Sequence, residues 1–256
     1  MRKHIILSIV LFVVAVLVGV PVFFLFYQKP SCFDGNKNGD EAGVDCGGSC
    51  QKLCVAESLP LLIKGDPRIL AVALNTYEVA ALVENPNASA AIPRARYSLK
   101  IYSAESLVPV KTIESLVYVP AGMTFAIFEG PFNLDAGVTP TRALLEWDQG
   151  SLVWQKEVAP LLTPTIGEKN LTRLDSSPRL EVTVINPTLE TMKNIDLTAL
   201  LYDAAGSIFA ASKTFVDEIA PGASAQAILT WPKALTQSPL EIQVIPVVIP
   251  QNGFLK

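Results

Sequence analysis

The side chains best suited to chemistry in this chain crowd between residues 32 and 54. Four cysteines, Cys32, Cys46, Cys50 and Cys54, enclose a run of short oxygen-bearing residues, Asp34-Gly-Asn36-Lys-Asn38-Gly39-Asp40-Glu41-Ala-Gly-Val-Asp45. Numbered from Asp34, the run has the rhythm D-x-N-x-N-G with an acidic residue at position 12. Oxygens at alternate positions suit a hard cation, and a glycine at position 6 permits the sharp turn of an EF-hand-type calcium loop. Calcium is thus the candidate cofactor, with Asp34, Asn36, Asn38, Asp40 (through its carbonyl) and Asp45 as ligands. Two features oppose it: no helices flank the run, and position 12 is aspartate rather than the longer, bidentate glutamate. The structural alternative is a polar loop whose Asn and Asp side chains bond their own backbone.

The cysteines admit three readings. An even count in an oxidising compartment reads as two disulfides. Cys46-x3-Cys50-x3-Cys54 also has the spacing of zinc thiolates, which belong mainly to reducing compartments. Reactive thiols are the third. Disulfides fit best, and of the three connectivities Cys32–Cys46 with Cys50–Cys54 is preferred.

The compartment follows from the residues that hold this loop. Ile5 to Phe26 carries no charge. As a helix it is roughly 33 Å long, enough for a bilayer core of about 30 Å. Arg2, Lys3 and His4 precede it, which keeps the N-terminus cytoplasmic by the positive-inside rule. A cleaved signal peptide would have a shorter apolar core and small residues at its end; here the run closes on Val22-Phe-Phe-Leu-Phe-Tyr27. A lipoprotein signal would need a small apolar box before Cys32, where Lys29-Pro30-Ser31 stands. The expected organisation is a cytoplasmic terminus (1–4), a signal anchor in the bilayer (5–27), an exocytoplasmic disulfide stalk (28–55) and a β-rich remainder.

That remainder is a duplication with a period of roughly 100 residues. Tyr77-Glu-Val-Ala-Ala-Leu-Val-Glu-Asn85-Pro86 and Ala95-Arg-Tyr-Ser-Leu-Lys-Ile-Tyr102-Ser correspond to Arg179-Leu-Glu-Val-Thr-Val-Ile-Asn186-Pro187 and Ile195-Asp-Leu-Thr-Ala-Leu-Leu-Tyr202-Asp203. Each copy continues to a turn, Val119-Pro-Ala-Gly122 or Ile219-Ala-Pro-Gly222, and then to an alternating segment, 123–128 or 224–229. Alternation over five to eight positions between Asn-Pro, Ala-Gly and Pro-Gly turns predicts antiparallel strands with one face in a core. The expected fold is all-β: two consecutive fibronectin/immunoglobulin-like antiparallel β-sandwiches, 56–160 and 161–256, behind one N-terminal transmembrane helix. Ala143 to Trp154 predicts a hairpin turning at Asp148-Gln-Gly150, with Trp147 and Trp154 packing.

Two resemblances follow from these motifs. Cys32-Phe-Asp-Gly-Asn-Lys-Asn-Gly-Asp-Glu-Ala-Gly-Val-Asp-Cys46-Gly-Gly-Ser-Cys50 resembles a cysteine motif of the form C-x-[DN]-G-x-x-N-x-x-E-x-x-V-D-C-G-G-x-C-x-x-C found in surface and secreted proteins, although three residues rather than two precede Cys54. Thr198-Ala-Leu-Leu201-Tyr202-Asp203, with Ile219-Ala-Pro-Gly-Ala-Ser-Ala, resembles the FxLYD-type domains and, more distantly, the LEA-type WHy domains. Position 199 is Ala where that motif has Phe, and the first copy reads Leu99-Lys-Ile101-Tyr102-Ser103. These resemblances imply fibronectin-like sandwiches in a cell envelope and carry no common activity.

Catalytic chemistry is thinly supplied. His4, the only histidine, lies before the anchor, so the remainder has no imidazole for a Ser-His-Asp or Cys-His arrangement. Ser49-x-x-Lys52 matches a Ser-Lys spacing but sits in the cysteine loop. Asp135, Glu146, Asp148 and Glu157 could meet as paired carboxylates, yet read as solvated strand and turn positions. There is no P-loop or dinucleotide motif. The net charge of −4 argues against nucleic acid. Asn87-Ala-Ser89 and Asn170-Leu-Thr172 are N-glycosylation sequons expected on loops. The chain therefore reads as a non-catalytic, membrane-anchored module whose partners are the bilayer and an envelope or surface protein. The alternative is a ligand-binding or sensing module with a weak calcium site in the stalk.

Overall fold

A computed structural model describes residues 2–26, 29–157 and 162–250. The proposed boundaries at 27/28 and 160/161, and the last six residues, lie outside the described residues. The chain forms two compact units, 1–50 and 51–256.

The first unit begins with helix α1, Arg2–Phe26. Every side chain described from Arg2 to Val22 is exposed, and Arg2–Val22 is apolar enough to cross a membrane. Pro21 lies inside the helix; membrane spans tolerate such a residue where local adjustments satisfy the freed carbonyl. The rest of this unit is the cysteine loop, held by turns rather than regular structure.

Among the described residues, the second unit is built from fourteen antiparallel strands. Its first half contains β1 (Leu62–Ile63), β2 (Arg68–Ala73), β3 (Thr76–Glu84), β4 (Ala90–Ser103), β5 (Lys111–Val119), β6 (Thr124–Asn133), β7 (Pro140–Trp147) and β8 (Gln155–Lys156). In one sheet β3 pairs with β1 and β2 on one edge and β6 on the other; in the second, β4 pairs with β5, β7 and β8. Their facing sides bury Val79, Ala81, Val83, Leu99, Ile101, Phe125, Ile127 and Leu145 in one core. The second half contains β9 (Thr165–Thr172), β10 (Arg179–Ile185), β11 (Met192–Tyr202), β12 (Ile208–Ile219), β13 (Ser224–Thr230) and β14 (Glu241–Val248). Its sheets run β13-β10-β9 and β12-β11-β14 around Leu180, Val182, Ile195, Leu197, Leu201 and Leu229. Strand for strand this repeats the first sandwich: β9, β10 and β13 stand where β2, β3 and β6 do, and β11, β12 and β14 where β4, β5 and β7 do.

The expectation of one buried face per strand fails at β3 and β11, and the failure reveals how the sandwiches join. In β3, Val79, Ala81 and Val83 enter the first core, while Ala80 and Leu82 point the other way. They meet Leu200, Ile208, Ala211 and Ile245 of the second sandwich, together with Leu70, Ala126 and Phe128. The β3 sheet therefore stacks on the β11 sheet, and both are buried on their two faces. That is why Val-Ala-Ala-Leu-Val and Ala-Leu-Leu are continuous apolar runs. The outer sheets carry polar faces: Lys100 pairs with Glu146 at 2.6 Å on one, and Gln226 donates to Thr183 at 2.8 Å on the other. Four layers are thus packed, and the stack ends where its surface becomes charged.

The Asn-Pro turns do more than reverse the chain. Asn85 and Asn186 are 1% and 0% exposed. Asn85 donates to the Ala90 and Pro120 carbonyls at 2.7 and 2.8 Å and accepts from the Asn87 backbone at 3.0 Å. Asn186 donates to Glu190, Ile219 and Ala220 at 2.8 to 3.1 Å and accepts from Thr188 N and Oγ1. In each sandwich one amide ties the end of β3 or β10 to the distant turn before Gly122 or Gly222. Those two glycines have φ of 60° and 66°, a left-handed conformation that costs glycine little.

The expected 143–154 hairpin does not form. Asp148 caps a 3-10 turn at Gln149–Ser151 by accepting from Gly150 N, and β8 then pairs with Ala90 and Ala91 of β4 instead of with β7. Trp154 is nevertheless buried in the first core, and Trp147 meets Tyr97 edge-on at 5.9 Å. Both act in packing, as the sequence implied.

Candidate functional site

The cysteine loop places its predicted residues close together but satisfies most of them internally. Asp34 is half-buried and its carboxylate accepts from Asn36 N at 2.9 Å and Asn38 Nδ2 at 2.8 Å. These donors hold its carboxyl below the usual carboxylate range, the Asn38 bond contributing most. Asn36, which is exposed, donates Nδ2 back to the Asp34 carbonyl. The Asp45 carboxylate reaches across the loop to the Asp34 and Gly35 N–H groups at 3.0 to 3.1 Å. Positions 3 and 5 are thus tied to Asp34, and the position-12 carboxylate to the backbone of positions 1 and 2.

Position 7 departs from them. The Asp40 carboxylate accepts from Ser49 Oγ at 2.7 Å, and its carbonyl lies over Gly48, where a Cβ would come within 2.0 Å of the oxygen. Gly48 has φ of 55° and Gly47 φ of 75°, so only glycines let the chain double back here. The Ser49 hydroxyl is thereby committed to Asp40. One atom remains without a partner: Asn38 Oδ1, at position 5, is buried and makes no hydrogen bond.

The double-back also decides the disulfides, and corrects the preferred pairing. Cys32 bonds Cys50, not Cys46, because the Gly47–Gly48 turn returns Cys50 to the start of the loop, with Cys50 N donating to Gly47 O at 2.9 Å. Cys46 and Cys54 are disulfide-bonded too, and no cysteine is free. Glu41, 9% exposed, sits beside the Cys32–Cys50 bridge. The three make a poor metal site, since disulfide sulfurs are not thiolates.

The carboxylates that could have been paired have separate tasks. Glu146 bonds Lys100, Asp148 caps its turn, Glu157 accepts from Tyr118 Oη at 3.1 Å, and Asp135 is exposed. Of the sequons, Asn87 uses its amide to hold Leu59 and Asn85, and Asn170 lies within β9 rather than on a loop.

Sequence reasoning missed Glu78. It shares the side of β3 that faces the second sandwich with Glu84, but Glu84 pairs with Lys64, whereas Glu78 is 9% exposed and has no side-chain hydrogen bond or ion pair among the described residues. Desolvation pushes its carboxyl up to about 7. It lines a cavity of about 60 Å3 with Leu70, Ala211, Trp231 and Lys233, and the Trp231 indole Nε1 is buried without a partner. The signal was a glutamate inside an otherwise apolar run, which has meaning only once the run is known to be buried on both sides.

No protein-family model matches the chain, and no curated protein does. Among solved structures it is similar to the crystal structure of red sea bream transglutaminase, at 15% identity and a TM-score of 0.21. The match covers 74% of this chain and spans 31% of the transglutaminase chain. A likeness at that score says nothing of activity.

Proposed function

We propose that this chain is a non-catalytic, membrane-anchored module of the cell envelope, held to the exocytoplasmic side by α1 and acting through its fibronectin-like sandwiches on a surface or envelope protein. The observation that carries this reading is the pairing of an exposed apolar helix with a cysteine loop that has no free thiol, a combination suited to an oxidising compartment. The stacked sandwiches support it by offering a body with two charged outer faces. Leu189 is 94% exposed and suits a probe. In cells carrying Leu189→Cys, a membrane-impermeant maleimide should label the intact protein, which should sediment at full length with membranes. Labelling only after lysis, or recovery of a shortened soluble form, would contradict the anchored exocytoplasmic reading.

A second reading, a weak calcium site that stiffens the stalk, is favoured by Asn38 Oδ1. An orphaned buried acceptor beside the Asp34 carboxylate is a place where a cation would relieve a desolvation cost. Few carboxylates contribute, so affinity should fall near ~10⁻⁴–10⁻³ M, the range of extracellular modules. Millimolar calcium should shift the amide resonances of residues 34–45 in the parent protein and leave Asp34→Ala unmoved. If parent and variant respond alike, the loop is a disulfide-held turn.

A further inference from the structure

The duplication provides an internal comparison of one seam. In each sandwich the same flank is bordered by an unpaired edge from each sheet: β2 and β7 in the first, β9 and β14 in the second. In the second sandwich a side chain bridges this flank, Lys169 Nζ donating to the Ile242 carbonyl at 2.5 Å, while Ile166 and Leu171 pack on the core beneath. In the first sandwich no side-chain hydrogen bond crosses the flank among the described residues. A cleft of about 450 Å3 lies between β2 and β7, a size typical of ligand sites.

Its lining is ordered by depth. Ala143 belongs to the first core, and Ile69 and Tyr77 pack against that core; all three line the cleft. Arg68 and Arg142 are exposed at its rim and form no ion pair among the described residues. The Arg142 guanidinium lies 4.7 Å over the Tyr102 ring, which limits its freedom before anything binds. Asp66 also borders the cleft, leaving the rim with one net positive charge in a chain that is negative overall.

We propose that the cleft along this unbridged seam binds an extended segment of a partner protein in which acidic and apolar residues alternate. An added strand sends successive side chains to opposite sides. One set would cover Ile69, Tyr77 and Ala143, and the other would place carboxylates at Arg68 and Arg142. The strand's backbone would pair with the free edge of β2 or β7, the main-chain recognition of β-augmentation. This deepens the interaction-module reading and rests on it.

The test uses the full chain in detergent micelles and a fluorescein-labelled hexapeptide of alternating glutamate and valine, followed by anisotropy. The peptide should bind saturably and bind less tightly as salt rises from about 50 to about 500 mM. The double variant Arg68→Ala/Arg142→Ala, altered at exposed positions, should keep its circular dichroism and thermal midpoint but bind at least roughly tenfold more weakly. A charge-matched hexapeptide of alternating glutamate and glycine, which lacks the valines, should bind more weakly than the glutamate–valine peptide. Equal binding by parent and double variant, equal binding of the glutamate–glycine peptide, or no binding to the parent would overturn the proposal. Because micelles carry no sidedness, such a failure would leave the orientation of the anchor untouched, and a failed labelling experiment would leave this binding untouched.

Discussion

Replacing Asn186 with alanine should lower the unfolding free energy by about 3–5 kcal/mol, among the largest effects of any side chain outside the apolar cores. The amide is fully buried. Its removal takes the side-chain partner from the Ile219 carbonyl and the Thr188 N–H, while the Glu190 carbonyl keeps Thr188 Oγ1 and the Ala220 carbonyl keeps Ala223 N. Each buried group left unpaired costs about 1–3 kcal/mol, and water can satisfy those nearest the surface. For a unit of this size the midpoint should fall by roughly 10 °C. Asn85→Ala should behave similarly in the first sandwich, whereas Thr188→Ala, which removes only the hydroxyl, should cost about 1 kcal/mol or less. The measurement is thermal and denaturant unfolding of a soluble fragment from Lys29 onward, which keeps all four cysteines. A loss under about 1 kcal/mol for Asn186→Ala would show that these bonds do not hold the turn.

The second large effect is a pH dependence set by Glu78. Its folded-state carboxyl is raised from 4.5 to about 7, so the folded protein holds this proton more tightly than the unfolded chain does. The associated stability is complete below pH 4.5 and is lost as pH rises through 7. From 1.36 kcal/mol per pK unit, the loss by pH 8 amounts to roughly 3 kcal/mol. Glu78→Gln keeps the shape and cannot ionise. It should therefore stabilise the fragment by about 2–3 kcal/mol at pH 8 and change it by less than about 0.5 kcal/mol at pH 4. Equal stability of parent and variant across this range would mean that Glu78 is solvated and the junction looser than the stacked sheets require.

Much of this architecture is legible in the sequence, for reasons that differ by element. The apolar N-terminal helix is fixed by composition alone. The duplicated strands follow from alternation, and Gly122 and Gly222 mark turns because few other residues accept their conformation. Asn-Pro could be read as a turn, but nothing local says that the amide reaches a carbonyl more than thirty residues away. Cysteine spacing leaves the pairing open, since it depends on the left-handed Gly47–Gly48 path and on the Asp40 carbonyl that lies against it. The hairpin expectation failed because periodicity cannot show that the Trp154 segment pairs more favourably with the distant start of β4. The junction was hidden most deeply: one-sided alternation describes a sandwich standing alone, and only the breaks in that pattern, at Ala80, Leu82 and Leu200, record a second buried face. The candidate calcium ligands were legible as a rhythm, but their hydrogen bonds to one another depend on the folded loop.

That the two sandwiches act as one body underlies the reading of the chain as a rigid binding module. Scanning calorimetry on the fragment from Lys29 tests it directly. The stacked β3 and β11 sheets predict a single transition whose calorimetric and van't Hoff enthalpies agree, and Ala211→Asp, which places a charge in the junction, should split or lower it. Two separate transitions in the parent, with Ala211→Asp melting identically, would contradict the account.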